Sequence, residues 1–262
     1  MKFTNLFSSS KGNSLLVESE NTKVLIDAGL AGKHIINELK KVDVDIHDID
    51  AILITHEHSD HVKGAGVLSR KADIPIYIQK DACPSVLKKI GNVKGDNIYR
   101  IEEERPLYIN DLLIDSFSIP HDAVAPVGFT IDDGKNKIGV ATDMGMIMES
   151  VINKLKDCKF VFLEANHDET MLKNGSYTIE LKQRILSPFG HLSNTDSGKV
   201  LSELIKGKTE RIRLGHLSEE NNLSSVAFET VKDVAKSNDA IEGKDFVLDV
   251  ANRIGINGTI HC

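Results

Sequence analysis

Residues 51–61 read Ala-Ile-Leu-Ile-Thr-His-Glu-His-Ser-Asp-His, an apolar run that stops at three imidazoles and two carboxylates gathered between His56 and His61. A short apolar run of this kind reads as a buried strand, so the fold must end a core strand at a polar cluster. Neutral imidazole and carboxylate are the donors that suit Zn²⁺, Mn²⁺ and Fe²⁺. Alternate residues of an extended stretch point the same way, so His56 and His58 can share one ion. Asp60 and His61, where the chain turns into a helix, can face another. The segment therefore predicts a site for two divalent ions per chain.

The chain has 262 residues, 40% of them hydrophobic, enough for a sizeable core. No apolar run approaches the ~18 residues of a membrane span. Met1-Lys2-Phe3-Thr4-Asn5 lacks the apolar stretch of a signal peptide, so no membrane partner and a cytoplasmic location are expected. Cys83, Cys158 and Cys262 are widely spaced and form no Cys-x-x-Cys pattern, which argues against a disulfide framework and a thiolate zinc site. The formal net charge of −7 speaks against coating duplex nucleic acid over the whole surface. It leaves a phosphodiester at a cation-loaded site open.

Short apolar stretches separated by turn signals predict strands over Phe3–Phe7, Ser14–Glu18 and Lys23–Asp27, with a turn at Lys11-Gly12-Asn13. Further strands are expected over Ala51–Ile54, Ile76–Ile78, Leu112–Ile119, Val127–Ile131, Lys137–Ala141, Phe160–Leu163, Arg211–Leu214 and Phe246–Val250. A hairpin turn falls at Asp133-Gly134. Helical spacing covers Ala31–Lys41, His61–Lys71, Asp81–Ile90, Ile147–Leu155, Thr178–Leu186, Asn194–Ile205 and Ser224–Ser237. Hairpins mixed with helices give more strands than one wound parallel sheet uses. The expectation is an α/β fold in one domain over residues 1–262: a four-layer α/β/β/α sandwich of two mixed sheets with helices outside.

A site for two metals needs further ligands, best placed at strand ends. His121 follows Ser118-Ile119-Pro120, Asp143 follows Gly139-Val140-Ala141-Thr142, His216 follows Arg213-Leu214-Gly215, and His191 sits in a turn before a helix. With these residues in view, the chain resembles the metallo-β-lactamase fold superfamily, whose signature is His-x-His-x-Asp-His after a strand. Asp27, in Leu25-Ile26-Asp27-Ala28-Gly29, matches the first motif, His121 the third and Asp143 the fourth. The resemblance implies His56, His58 and His121 on one metal and Asp60, His61 and His216 on the other, with Asp143 bridging. His191 is the alternative to His216. Asp27 would orient the ligand loop from behind.

The segments Phe162-Leu163-Glu164-Ala165-Asn166-His167-Asp168, Gly190-His191-Leu192-Ser193-Asn194 and Leu214–Asn222, with the small-residue loop Ser8–Ser14, resemble the YycJ/WalJ group, close to tRNase Z and the PhnP-type phosphodiesterases. That likeness implies a nuclease, 5′ exonuclease-like on DNA, with nucleic acid or a small phosphodiester as partner. It counts Asp60, Glu164 and His191 as catalytic, the last two as a proton relay. His167 would hold substrate phosphate or pack. The Ser8–Ser14 loop, with Ser9 and Asn13, would cradle an anion, while Lys11, Lys63 and Arg70 would add local positive charge. No cysteine sits near a matched motif, which argues against the lactamases with a Cys ligand. His34, His47 and His261 lie outside every motif and are expected on the surface. The competing readings are a thioester or lactone hydrolase, which shares nearly the whole ligand set without needing Glu164 and His191, and a metal-binding scaffold without turnover.

Overall fold

Each core strand carries apolar residues on both faces, and that pattern sets the architecture. The structure, a computed structural model, describes residues 1–103 and 105–262. Its first half holds β1 (Lys2–Ser9), β2 (Gly12–Glu18), β3 (Lys23–Ile26), α1 (Gly32–Lys40), β4 (Ala51–Ile54), α2 (Ser59–Val62), α3 (Ala65–Ala72), β5 (Ile76–Gln79), α4 (Cys83–Ile90) and β6 (Ile98–Ile101). The second half holds β7 (Leu107–Ile109), β8 (Leu112–Ser118), β9 (Val127–Asp132), β10 (Lys137–Ala141), α5 (Glu149–Leu155) and β11 (Phe160–Glu164). It continues through α6 (Glu169–Asn174), α7 (Ile179–Ile185), α8 (Asn194–Leu204), β12 (Arg211–Gly215), α9 (Ser224–Ser237), β13 (Val247–Val250) and β14 (Ile260–His261).

The described residues form two seven-stranded sheets, ordered β14-β1-β2-β3-β4-β5-β6 and β13-β12-β11-β10-β9-β8-β7. In both, antiparallel hairpins give way to a parallel run, β3 to β6 and β10 to β13. Alternation along the strands sorts the core into three layers. Val24, Ile26, Ala51 and Leu53 of the first sheet face Phe129, Val140, Phe160 and Phe162 of the second. Phe3 lies against Phe160 and Phe162, ring centroids 4.7 and 5.3 Å away, in tilted packing. The opposite faces, through Leu25, Ile52 and Ile54, pack on Ile35 and Leu39 of α1 and Leu68 of α3. Val161 and Leu163 pack on Leu155 of α5, Leu201 of α8 and Val231 of α9. This is the expected four-layer sandwich.

Local expectations need correction in three places. The first hairpin turns at Ser10-Lys11, while Gly12 and Asn13 already pair in β2. The helix expected over His61–Lys71 is two, because the Gly64 N–H turns aside to the Ala28 carbonyl at 2.7 Å. The edge strands β6 and β7 and the short α6 lie in stretches too brief and too exposed to carry a clear apolar period. Among the described residues no helix is long and apolar enough to cross a membrane.

One polar group spans the inter-sheet core. Arg213, buried on β12, forks onto Asp249 of β13 and donates to the Asn5 side chain of β1 at 2.8 Å and to the Gly258 carbonyl at 3.1 Å. We predict that Arg213→Met, which leaves Asp249 and Asn5 without their donor, lowers stability by about 2–3 kcal/mol, below the full cost of a broken buried pair because Asp249 is partly exposed. Urea unfolding checks this; an unchanged midpoint would mean the tie between the sheets contributes nothing.

Candidate metal centre

The strands deliver their polar residues to one edge of the sandwich. β3 and β4 run parallel, and Asp27 follows the first while Thr55 to His61 follow the second. β8 and β10 both run antiparallel to β9, so His121 and Asp143 emerge on the same side. β11 and β12 parallel β10 and end at Glu164 and Gly215-His216. This is the carboxyl edge where open α/β sheets place their sites. Asp27, Asp143 and His216 each hold a left-handed backbone, φ 62°, 59° and 56°, which turns the chain sharply at its strand end. Asp and His tolerate that region better than most residues. Close approach fixes the loops: a Cβ on Gly29 would sit 1.6 Å from the Asp60 carbonyl oxygen, and one on Gly215 would sit 2.1 Å from the Phe162 ring.

The structure brings every residue of the expected ligand set together. Donor atoms of His56, His58 and His121 lie within 4.8 Å of one another, and so do those of Asp60, His61 and His216. Asp143 stands between, with Oδ2 3.3 Å from His61 Nε2 and Oδ1 3.7 Å from His121 Nε2. Four rings are held from behind at Nδ1. His56 uses the Thr55 hydroxyl at 3.0 Å, His61 the Asp27 carboxylate at 2.7 Å, His121 the Gly190 carbonyl at 3.1 Å and His216 the Glu164 carboxylate at 2.9 Å. Such bonds fix ring orientation and tautomer in metal sites. Nε2 of His56, His121 and His216 and Oδ2 of Asp143 are buried and have no hydrogen-bond partner. Orphaned buried polar atoms of this kind are costly and call for a partner, so the donor set fits a divalent cation.

Electrostatics points the same way. Burial keeps the His56 and His121 rings neutral, their pKa values below the ordinary imidazole range. Burial also opposes charge on His61 and His216. Even so, Asp143, Asp27 and Asp60 hold His61 well above that range, and Asp143, Asp60 and Glu164 push His216 up to about 10. Burial would raise Asp60 and Glu164, but neighbouring imidazoles keep both below the usual carboxylate range. Without a metal, protons on His61 and His216 supply the positive charge that the buried carboxylates require.

Glu164 does more than the sequence suggests. Its Oε1 accepts from Nδ1 of His191 at 2.8 Å and of His216 at 2.9 Å, and its Oε2 accepts the N–H of Met144 at 2.7 Å and of Leu192 at 3.2 Å. One fully buried carboxylate therefore orients a member of the donor cluster and the half-buried His191 together. Thr55, which sequence reasoning passed over, donates its N–H and hydroxyl to Asp27 at 2.9 and 2.8 Å. Its position between the strand and His56 was the available signal. A reciprocal amide pair, Asn194 with Asn222 at 2.8 and 3.0 Å, braces the turns around Ala165 and Asn166.

The other expected residues are less committed to the centre. Asn13 Nδ2 lies 3.2 Å from His61 Nε2 and 3.1 Å from the Ser9 carbonyl. The Ser8 and Ser14 hydroxyls are engaged, the first accepting the His216 N–H and the second donating to the Asp27 carbonyl. The Ser8–Ser14 segment is thus a hairpin buttress of the centre. Lys11 pairs with Glu219, and Arg70 donates to the carbonyls of Ile90 and Asn92. His167 is buried with both ring nitrogens unpartnered. His34, His47 and His261 are exposed.

Known proteins resemble this chain to different degrees. Exodeoxyribonuclease WalJ of Streptococcus pneumoniae is 38% identical over 247 residues, covering 94% of this chain and 92% of that protein. Exodeoxyribonuclease YycJ of Bacillus anthracis is 35% identical over 248 residues, 95% of this chain and 94% of that protein. Among solved structures, the metallo-beta-lactamase fold protein YhfI of Bacillus subtilis superposes with a TM-score of 0.73 at 17% identity, covering 97% of this chain and 98% of that one, a likeness of fold. The profile of the metallo-beta-lactamase superfamily matches residues 10–216, from the first hairpin to His216. The chain belongs to the metallo-beta-lactamase superfamily.

Proposed function

We propose that this protein is a dinuclear metal-dependent exodeoxyribonuclease that hydrolyses phosphodiester bonds from a 5′ end. The observation that carries the reading is the 2.8 Å bond between Glu164 and His191 beside a complete donor cluster. The names of the two relatives support the same substrate class. His56, His58 and His121 would hold one ion and Asp60, His61 and His216 the other, and Asp143 would be shared between them. When bound, such ions make a potent nucleophile of water at neutral pH and neutralise charge on the phosphate.

The remaining work falls to the chain. Glu164 accepts the Nδ1–H of His191, so in the imidazolium form the Nε2–H is the proton that can pass to the departing alkoxide, which leaves a neutral ring with its remaining proton on Nδ1. The Met144 and Leu192 N–H groups hold Glu164 in turn, so the relay is braced before substrate arrives. Asp27 and Thr55 lock the loop that carries His56 and His61. A thioester hydrolase would have no use for the His191 arm.

Protein loaded with Mn²⁺ or Zn²⁺ and assayed on 5′-labelled duplex DNA, bis-p-nitrophenyl phosphate and a thioester tests this. Cleavage of the thioester alone would sink the nuclease reading. On DNA, whose leaving alkoxide is poor, His191→Ala should lower kcat by about 10²- to 10⁴-fold, with a smaller loss on the nitrophenyl ester. Equal losses on both substrates would remove His191 from the proton-transfer role.

Metal content gives a second test. Asp60→Ala should take the count from about two ions per chain toward about one by elemental analysis; an unchanged count would mean that Asp60 holds no ion. A third test uses pH. His216 is protonated below about 10 in the empty site, and His61 is raised in the same direction. Incoming cations must displace these protons, so apparent affinity should rise with pH through the neutral range, with proton release on binding. Calorimetry in buffers of different ionisation enthalpy measures the release, and an enthalpy independent of buffer would contradict it.

A further inference from the structure

We propose that Phe189 is a stacking platform for an unpaired nucleobase beside the scissile phosphate, with Met146 and Val124 forming an apolar rim around it. The inference rests on the nuclease reading above and specifies how the polymer is gripped. Phe189 is 56% exposed, Val124 56% and Met146 45%. Single exposed apolar residues are ordinary, but these three sit on loops that each carry a residue of the centre. Val124 follows His121, Met146 follows Asp143, and Phe189 precedes His191.

The loops are also bonded to one another. The Phe189 carbonyl accepts the Asp122 N–H at 3.0 Å, and the next carbonyl, that of Gly190, accepts Nδ1 of His121. The Gly145 N–H reaches the Pro120 carbonyl at 2.8 Å, and Gly145 packs so closely on Pro188 and Gly190 that a Cβ there would come within 2.4 Å of both. The Val124 N–H donates to Glu57, between His56 and His58, at 3.0 Å. Arg184 grips Asp122 with both arms of its guanidinium. An aromatic ring held out to solvent on a backbone pinned at this many points is preorganised for a ligand, at little further ordering cost.

Charge argues for the kind of ligand. With a net charge of −7 the chain cannot draw DNA in through its whole surface. Near the centre Arg184 is engaged by Asp122, and Lys11 by Glu219. With these two charges engaged, base faces can add affinity for a strand beside the cations. Stacking serves a nuclease well, because every base has a π-face and the contact tolerates any sequence.

The test uses metal-loaded protein and a duplex with 2-aminopurine as its 5′-terminal nucleotide and a phosphorothioate at the scissile position. Wild type and Phe189→Tyr should quench the terminal fluorophore. Phe189→Ala should lose the quench and bind about tenfold more weakly, with a matching rise in KM on unmodified DNA. Its melting temperature and metal content should stay at wild-type values, since the ring is exposed. Unchanged quenching and affinity in Phe189→Ala would overturn the platform while leaving the nuclease reading intact. Wild-type protein that hydrolyses bis-p-nitrophenyl phosphate but neither binds nor cuts DNA would overturn both.

Discussion

Carboxylates drawn out of water side by side need compensating positive charge, and the architecture at this edge answers that requirement. Asp27, Asp143 and Glu164 are buried and Asp60 is partly exposed, each facing at least one imidazole. Desolvation would neutralise them singly. Together with six histidines they form a cluster whose charge balance suits a cation. The rest of the sandwich can be read as the means of holding these groups at fixed separations. Parallel strands end in register, left-handed residues redirect the chain at three of those ends, and Gly29 allows the loop that carries Asp27 to touch the one that carries Asp60.

Much of this was legible in the sequence because it is written locally. A strand with two buried faces reads as a continuous apolar run, as in Ala51–Ile54 and Phe160–Leu163, and the polar residue that breaks the run marks the sheet edge. His56, His58, Asp60 and His61 fall within one turn of chain, so their convergence follows from geometry. His121, Asp143 and His216 were found because each stands just past a strand.

What the sequence could not reveal depends on partners far along the chain. The link between Glu164 and His216 joins residues 52 positions apart, and Arg213 reaches Asn5 across 208. Neither pair leaves a periodic trace. The break between α2 and α3 was hidden for the same reason, since it is the distant Ala28 carbonyl that draws Gly64 out of the helix. The hairpin at Ser10-Lys11 was displaced by pairing, because Gly12 and Asn13 look like turn residues yet serve as strand residues beside the ligand loop.

The single oxygen of Glu164 shared by two rings has a further consequence. His216 faces the donor cluster and His191 faces outward, yet both orientations rest on one atom. An amide in place of this carboxylate cannot accept from all four donors, because one of its two ends must itself donate. On the proposed reading, holding the cation and delivering the proton would therefore share a single point of failure. They can drift apart over evolutionary change only if another acceptor first takes over one of the rings.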